Sequence, residues 1–218
     1  QILADLGAEV IKIERPGAGD DTRGWGPPYL KAADDSDTSE AGYYLSANRG
    51  KRTGWIDISH PSGQRVIRDL ALKSDVLVEN FKVGGLKKYE LDYESLRRVN
   101  ERLIYCSITG FGQDGPDSAR PGYDFMIQAM GGLMSITGSG PGQSVRVGTS
   151  ISDILTGVFG AVAIVSAVHG RTTSGQGTVI DLAMRDCTVA ALENAISRFT
   201  TSGVSPEPLG TRHPSITP

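Results

Sequence analysis

Cysteine is scarce in this chain. Its two residues, Cys106 and Cys187, cannot build a disulfide framework in 218 residues. Cys106 lies in an apolar, strand-like run, where a thiol acts as a small hydrophobe. Histidine is nearly as rare, and His60, His169 and His213 have no Cys or His partner at zinc-ligand spacing, so no metal is implied. Neither sign of charge dominates: 22 Lys and Arg against 25 Asp and Glu leave a net charge of -3, which gives no global pull towards nucleic acid or anionic lipid. The longest apolar run, residues 154–168, is about 15 residues, short of the roughly 18 to 20 needed to cross a bilayer. It reads as a buried core helix, and no membrane partner is expected. Gly and Pro together make about 18% of the chain, below the level of a low-complexity segment, so the chain should fold. At 39% hydrophobic residues it can bury one substantial core.

The pattern along the chain alternates strand and helix. Residues 1–6 read as the last turns of a helix whose start is missing, with Gly7 as its C-cap. Residues 8–14 read as a strand, and residues 15–50 as a long Gly- and Pro-rich loop, with KAADDSDTSE a solvated insertion. Strands at 53–58, 75–79 and 103–108 are separated by helices at 61–73, with Pro61 near its start, and at 92–100, with Asp92 as N-cap. An apolar helix at 124–134, a Gly-rich turn at 138–143, a long helix from about Ile151, a strand at 177–182 and a helix from about Arg185 to Phe199 complete the series. This order predicts an α/β, Rossmann-like fold: a mostly parallel sheet flanked by helices, with ligands beyond the carboxyl ends of the strands.

Polar or Gly-rich turns follow the strands at Glu14-Arg15-Pro16-Gly17, Glu79-Asn80-Phe81 and Thr109-Gly110-Phe111-Gly112. Asn80 offers an amide, Phe81 and Phe111 offer flat apolar faces, and Arg23, Arg49, Lys51 and Arg52 offer charge suited to phosphate, as a nucleotide-like ligand requires. The plainer reading is that Asn80 caps a turn, Phe81 packs in the core and the cations are solvated surface. Asp153 opens an apolar helix in GTSISDILTG. As a simple N-cap it would only secure the helix; Ser150 and Ser152 could do that instead, leaving an ionised carboxylate, with an ordinary pKa near 3.9, free to act as nucleophile or base. Glu14 at the end of an early strand could bind a ribose, but the GxGxxG that a dehydrogenase places ahead of it is not in this chain.

The segments ADLGAEVIKIERPGAGDDTRGWGPP, NRGKRTGWIDISHPSG, SDVLVENFKVGGL, IYCSITGFGQDGP, ISDILTG and GTRHPSITP resemble, in order, the class III CoA-transferases, the formyl-CoA transferase and carnitine CoA-transferase group. The resemblance covers nearly the whole chain. It implies an enzyme that moves CoA from an acyl-CoA donor, such as succinyl-CoA or another dicarboxylyl-CoA, to a carboxylic acid, with CoA as substrate and no metal. Asp153 stands in the place of the catalytic aspartate, which passes through an aspartyl-CoA thioester. Arg23, Ile56, Asn80, Phe81, Lys88, Gly110 and Phe111 stand at CoA-contacting positions. Phe111 replaces a tyrosine, Ser59 stands where some members have lysine, and a glutamine ahead of the first helix of the family is absent. The resemblance further implies an incomplete large domain over residues 1–200, a linker over 201–218 leading to a small domain and a Gly-rich loop beyond it, an interlocked homodimer, and a cytoplasmic setting, with the mitochondrion left open. Two alternatives stay beside it. One is a 2-methylacyl-CoA racemase, whose GHD motif is here Gly122-Tyr123-Asp124; an unperturbed tyrosine, with a pKa of about 10, is a poor substitute for imidazole. The other is a CoA-binding fragment without turnover.

Overall fold

A computed structural model describes residues 1–216; Thr217 and Pro218, the last two residues of the GTRHPSITP segment, lie outside the described residues. The chain divides into two compact units, one of residues 1–70 and 89–91, the other of residues 71–88 and 92–218.

In the first unit a short helix α1 (Ile2–Asp5) leads into strand β1 (Val10–Glu14). Strands β2 (Tyr29–Lys31) and β3 (Asp37–Ala41) and helix α2 (Gly42–Asn48) then precede β4 (Lys51–Trp55). β1 and β4 pair in parallel, from Val10 opposite Lys51 to Glu14 opposite Trp55. The segment expected to be a featureless loop therefore carries structure. β2 and β3 form an antiparallel pair closed by the Ala32 N–H to Ser36 C=O bond, with Asp35 at positive φ. Helix α3 (Pro61–Lys73), in which the chain passes from one unit to the other, has the bounds its sequence suggests: Pro61 needs no N–H partner in the first turn, and the apolar residues recur on one face.

The second unit is built on a parallel sheet of β5 (Val76–Glu79), β6 (Ile104–Thr109) and β7 (Val179–Ala183), with β6 in the middle. Ile104, Tyr105, Cys106 and Ser107 are all buried, because a central strand with protein on both faces has no solvent side to alternate towards. Register runs from Val76 opposite Ile104 to Glu79 opposite Ser107, and from Tyr105 opposite Val179 to Thr109 opposite Ala183. Helices α4 (Tyr93–Arg97), α5 (Asp124–Met130), α6 (Ile151–Ser174), α7 (Met184–Ala190) and α8 (Glu193–Ser202) complete it. α6 ends on Gly175, whose φ of 72° lets its N–H close back on Arg171 C=O at 2.9 Å. The adjacent Arg171 is buried. It donates to Arg102 C=O at 2.8 Å and pairs with Asp75 at 2.5 Å, tying the far end of α6 to the start of the sheet.

One expectation about α6 is corrected. The helix is long and apolar enough to cross a membrane by length and composition, but it is not a buried core helix within these residues. Ser152, Thr156, Gly160 and Ile164, four residues apart, make the line that faces the unit, whereas Ile154, Val158, Val162 and Val165 are exposed. A stripe that narrow covers only one side of an all-round apolar helix.

Candidate functional site

The site grows from the carboxyl ends of the sheet in the second unit. At the end of β5, Glu79 accepts a hydrogen bond from Ser107 Oγ on β6 and from Phe81 N–H at 2.7 Å. Ser107 in turn accepts from Gln113 Nε2 at 2.7 Å. With Glu79 bonded inward, Asn80 and Phe81 turn outward and both are exposed. Phe81 is thus a surface ring and not the core residue of the plainer reading. Lys88 is exposed in a short 3-10 turn, Lys87–Tyr89.

At the end of β6 the chain needs glycine for a close approach. A Cβ on Gly110 would lie 2.6 Å from Gly122 Cα and 2.8 Å from its N, both backbone atoms. Gly110 is therefore a packing position that brings Gly122-Tyr123-Asp124 against the strand end. Phe111 differs from its expected role. Its ring is 5% exposed and packs with Ile127 and Met184, so it offers no flat face to solvent. Arg120 and Arg185 lie 5.4 and 5.5 Å from its centre, and both pair with Asp117.

Asp153 is the third residue of α6 and its side chain is exposed. It is not the N-cap. Ser150 holds that position without a side-chain cap bond, and the cap comes from another helix: Asp124, first in α5, accepts from Ser152 N–H at 2.8 Å and from Asp153 N–H at 3.4 Å. Asp124 is itself held by Gln128 Nε2 at 2.7 Å, and Gln128 is fully buried, accepting from Val147 N–H at 2.8 Å. From α7, Thr188 donates to Ser152 Oγ at 2.8 Å, with both residues completely buried. The first turn of α6 is pinned from two sides, and among the described residues no group hydrogen-bonds or ion-pairs with the Asp153 carboxyl.

This changes its acidity. Expected to have an ordinary carboxylate pKa, Asp153 is instead raised to about 6, by desolvation from the protein crowded around it and then by the like charge of Asp124. The stabilisation that a helix N-terminus gives a carboxylate goes to Asp124, which has taken the free N–H groups. Gln128 and Thr188 escaped the sequence reading, and Asp124 was named only as the last residue of the segment set against the racemase GHD motif, not as a cap. Only Asp124 had a local signal, an acid at the first position of an apolar helix, and that says nothing of a target 29 residues away.

In the first unit, Arg23 lies in a 3-10 turn, Asp21–Gly24, and four of its five N–H donors go to protein acceptors. It grips Glu14 at 2.8 and 3.0 Å, pairs with Glu40 and donates to Tyr44 Oη at 2.6 Å, with its guanidinium over the Tyr44 ring at 3.9 Å. Glu14 is 4% exposed; the Arg23 bonds, joined by Asp20 N–H, Tyr44 and Lys12, hold its pKa down at about 2 against the burial that would raise it. Glu14 is thus a structural anion and no ribose ligand. Ile56, half-buried just after β4, donates its N–H to Glu14 C=O at 3.0 Å. The other cations expected to meet phosphate have protein partners: Arg49 pairs with Asp5 at 2.8 Å, Arg52 with Glu9, and Lys51 donates to Asn48 at 3.2 Å.

No cluster of three or more His, Cys, Asp or Glu side chains able to hold a metal occurs among the described residues. An open cleft of about 340 Å³ lies near α8, where Leu192, Asn194, Arg198, Leu209, Arg212 and His213 contribute to its walls; none of the candidate residues lines it, and the chemistry at Asp153 owes it nothing.

Asp153 is thus, among the described residues, an unpartnered carboxyl on the first turn of α6, in a unit built on a parallel sheet. Residues 1–218 match the family described as CoA-transferase family III, and the chain belongs to that family. It is 49% identical over its whole length to a succinate--glutarate CoA-transferase of Agrobacterium fabrum, of which it covers 54%. Over 216 residues, 99% of the chain, it is 43% identical to a succinyl-CoA:glutarate CoA-transferase of Homo sapiens, covering 48% of that protein. Among solved structures, a CAIB/BAIF family protein from Brucella suis superimposes with a TM-score of 0.93 at 47% identity, over 100% of this chain and 57% of that one. The chain spans about half the length of the curated relatives it matches.

Proposed function

We propose that the protein transfers CoA between an acyl-CoA and a free carboxylic acid, with Asp153 as the covalent acyl carrier. The observation that carries this reading is the Asp153 carboxyl itself: solvent-reachable, without an intramolecular hydrogen bond, and held on a helix end pinned by Asp124 and Thr188. With a pKa of about 6 it is still roughly nine-tenths ionised at pH 7, so it needs no base to activate it.

A carboxylate oxygen of Asp153 attacks the thioester carbonyl carbon, the C–S bond breaks, and CoA leaves as thiolate, giving a mixed acyl-aspartyl anhydride. The thiolate attacks the aspartyl carbonyl and expels the donor acid as carboxylate, leaving an aspartyl-CoA thioester. The acceptor carboxylate attacks that thioester to form a second anhydride and free the thiolate. The thiolate then takes the acceptor acyl group and restores the Asp153 carboxylate. Each step exchanges one activated acyl group for another with no net proton, and no metal is required. Bound CoA stays at high effective concentration throughout. In the second unit, Asn80, Phe81 and Lys88 supply an exposed amide, ring and ammonium for CoA, while Gly110 allows the close backbone approach described above. Dicarboxylic acids such as succinate and glutarate are the favoured substrate class, by likeness to the named relatives. A homodimer belongs to the same reading, supported by the apolar side of α6 that a larger assembly would cover.

The test is to incubate the full-length protein with succinyl-CoA and hydroxylamine. A hydroxamate on Asp153, with CoA exchange between succinate and glutarate abolished in Asp153→Ala, supports the reading. Full exchange in Asp153→Ala removes it.

A further inference from the structure

Taking Asp153 as the acyl carrier of the reading above, we propose that Asp124 is its positioning residue: by capping α6 from α5, it keeps the Asp153 carboxyl off the helix N–H groups and beside a second negative charge. An aspartate in the first turn of a helix ordinarily folds back on the free N–H groups there, and each such bond makes the carboxylate less basic. Here those bonds go elsewhere. One Asp124 oxygen receives Ser152 N–H and Asp153 N–H, and the other receives Gln128 Nε2. Gln128 is in turn fixed by Val147 N–H and reaches Thr149 C=O at 3.3 Å, so the cap is locked to the segment that enters α6.

The electrostatics follow from this geometry. Asp124 is the charged group that acts on Asp153, and it acts in the same direction as desolvation. From α7, Arg185 is occupied by Asp117 and by Asp186. On β7, Asp181 accepts from Gln113 N–H. On α6 itself the next ionisable side chain, His169, is about four turns away. A more basic carboxylate is the better nucleophile towards a thioester, so Asp124 contributes to the rate without touching substrate.

Two substitutions in the full-length protein separate the cap from the charge. Asp124→Asn keeps an acceptor oxygen for the two N–H groups and removes the charge, giving up only the bond from Gln128 Nε2, which an amide nitrogen cannot accept. The acid limb of its kcat/KM profile should move down by about one pH unit, and kcat at pH 8 should fall about three- to tenfold with KM for acyl-CoA within about twofold. Asp124→Ala loses both, and kcat should fall about a hundredfold with KM again little changed. An unmoved acid limb in Asp124→Asn, or wild-type kcat in both variants, overturns the proposal. Should the alanine variant fail to fold, the asparagine variant decides alone. Carboxyl-carbon NMR titration of Asp153 in the unmodified and Asp124→Asn proteins is the second readout. It must show the Asp153 midpoint falling even if hydroxylamine trapping were to fail, so failure of the transferase reading and failure of this one stay distinct.

Discussion

Replacing Asp153 by asparagine should make the protein more stable at pH 8 and leave it nearly unchanged near pH 4. The folded-state pKa, about 6, lies above the ordinary aspartate value of 3.8, so the ionised side chain is disfavoured by folding. The penalty is absent below the unfolded pKa, grows between 3.8 and about 6, and is complete above that. A shift of about two units corresponds to about 3 kcal/mol if nothing screens it. The carboxyl is open to solvent, which reduces the expected gain to roughly 1 kcal/mol. In a domain of this size that raises Tm by about 2–4 °C. Asparagine nearly matches the protonated acid in shape, so below pH 4 the two proteins should melt together. Thermal melts of the full-length wild type and Asp153→Asn at pH 4 and pH 8 make the measurement. A lower Tm for the variant at pH 8, or an equal gain at both pH values, would refute the reasoning, because either result means that the carboxylate is stabilised where it sits.

Two further substitutions probe the frame. Gly110→Ala forces a Cβ into the backbone of Gly122, and since neither strand end nor turn has a flexible side chain to give way, we expect about 3 kcal/mol of destabilisation in a urea melt. Activity should fall as well, because Gly122 leads directly into the Asp124 cap. In the first unit, Glu14→Gln should cost about 3 kcal/mol at pH 7 by leaving Arg23 without its buried partner. Glu14 has a depressed pKa, so its contribution is present above 4.5 and lost as pH falls towards 2; a difference in urea midpoint between the two proteins that persists unchanged to the acid end of that window would count against the ion pair as its source.

How far the sequence could be read depended on whether the deciding partner was local. Helix α3 was legible to the residue because its start signal and its periodicity lie within 13 residues. The central strand β6 was legible because Leu103, Ile104, Tyr105 and Cys106, four consecutive buried side chains, make an unbroken apolar run into and along it. The β2–β3 pair was not, since the half-buried residues of β3 are the polar Thr38 and Glu40, and the partner that receives Glu40, Arg23, is 17 residues away. Apolarity placed helix α6 correctly but not its environment, because composition does not reveal what lies against a helix. The family motifs drew attention to Asp153 and to the turn at Asn80 and Phe81. They could not show that Arg23 is turned to Glu14 or that Phe111 is buried, both of which are set by contacts across the fold.

The acidity of Asp153 belongs to the same class of long-range effects and, with Asp153 taken as the acyl carrier proposed above, accounts for a second aspartate at the helix end. A nucleophilic carboxylate on a helix end faces a conflict. The position fixes it on a rigid element, but the N–H groups there would bond it and blunt its basicity. Serine at the cap would satisfy those N–H groups with a neutral oxygen, worth about 1 kcal/mol of helix stability, and would leave the acidity of the nucleophile alone. A second carboxylate satisfies them more strongly, through charge-assisted bonds, and at the same time repels the first. The cap therefore recovers for α6 part of what the raised pKa of Asp153 takes from folding. On that account the two residues should be coupled: removing the Asp124 charge should reduce, without abolishing, the pH-dependent stabilisation expected of Asp153→Asn, because desolvation remains the larger cause, and a double-mutant cycle that found the two effects additive would sever the link between cap and carboxyl.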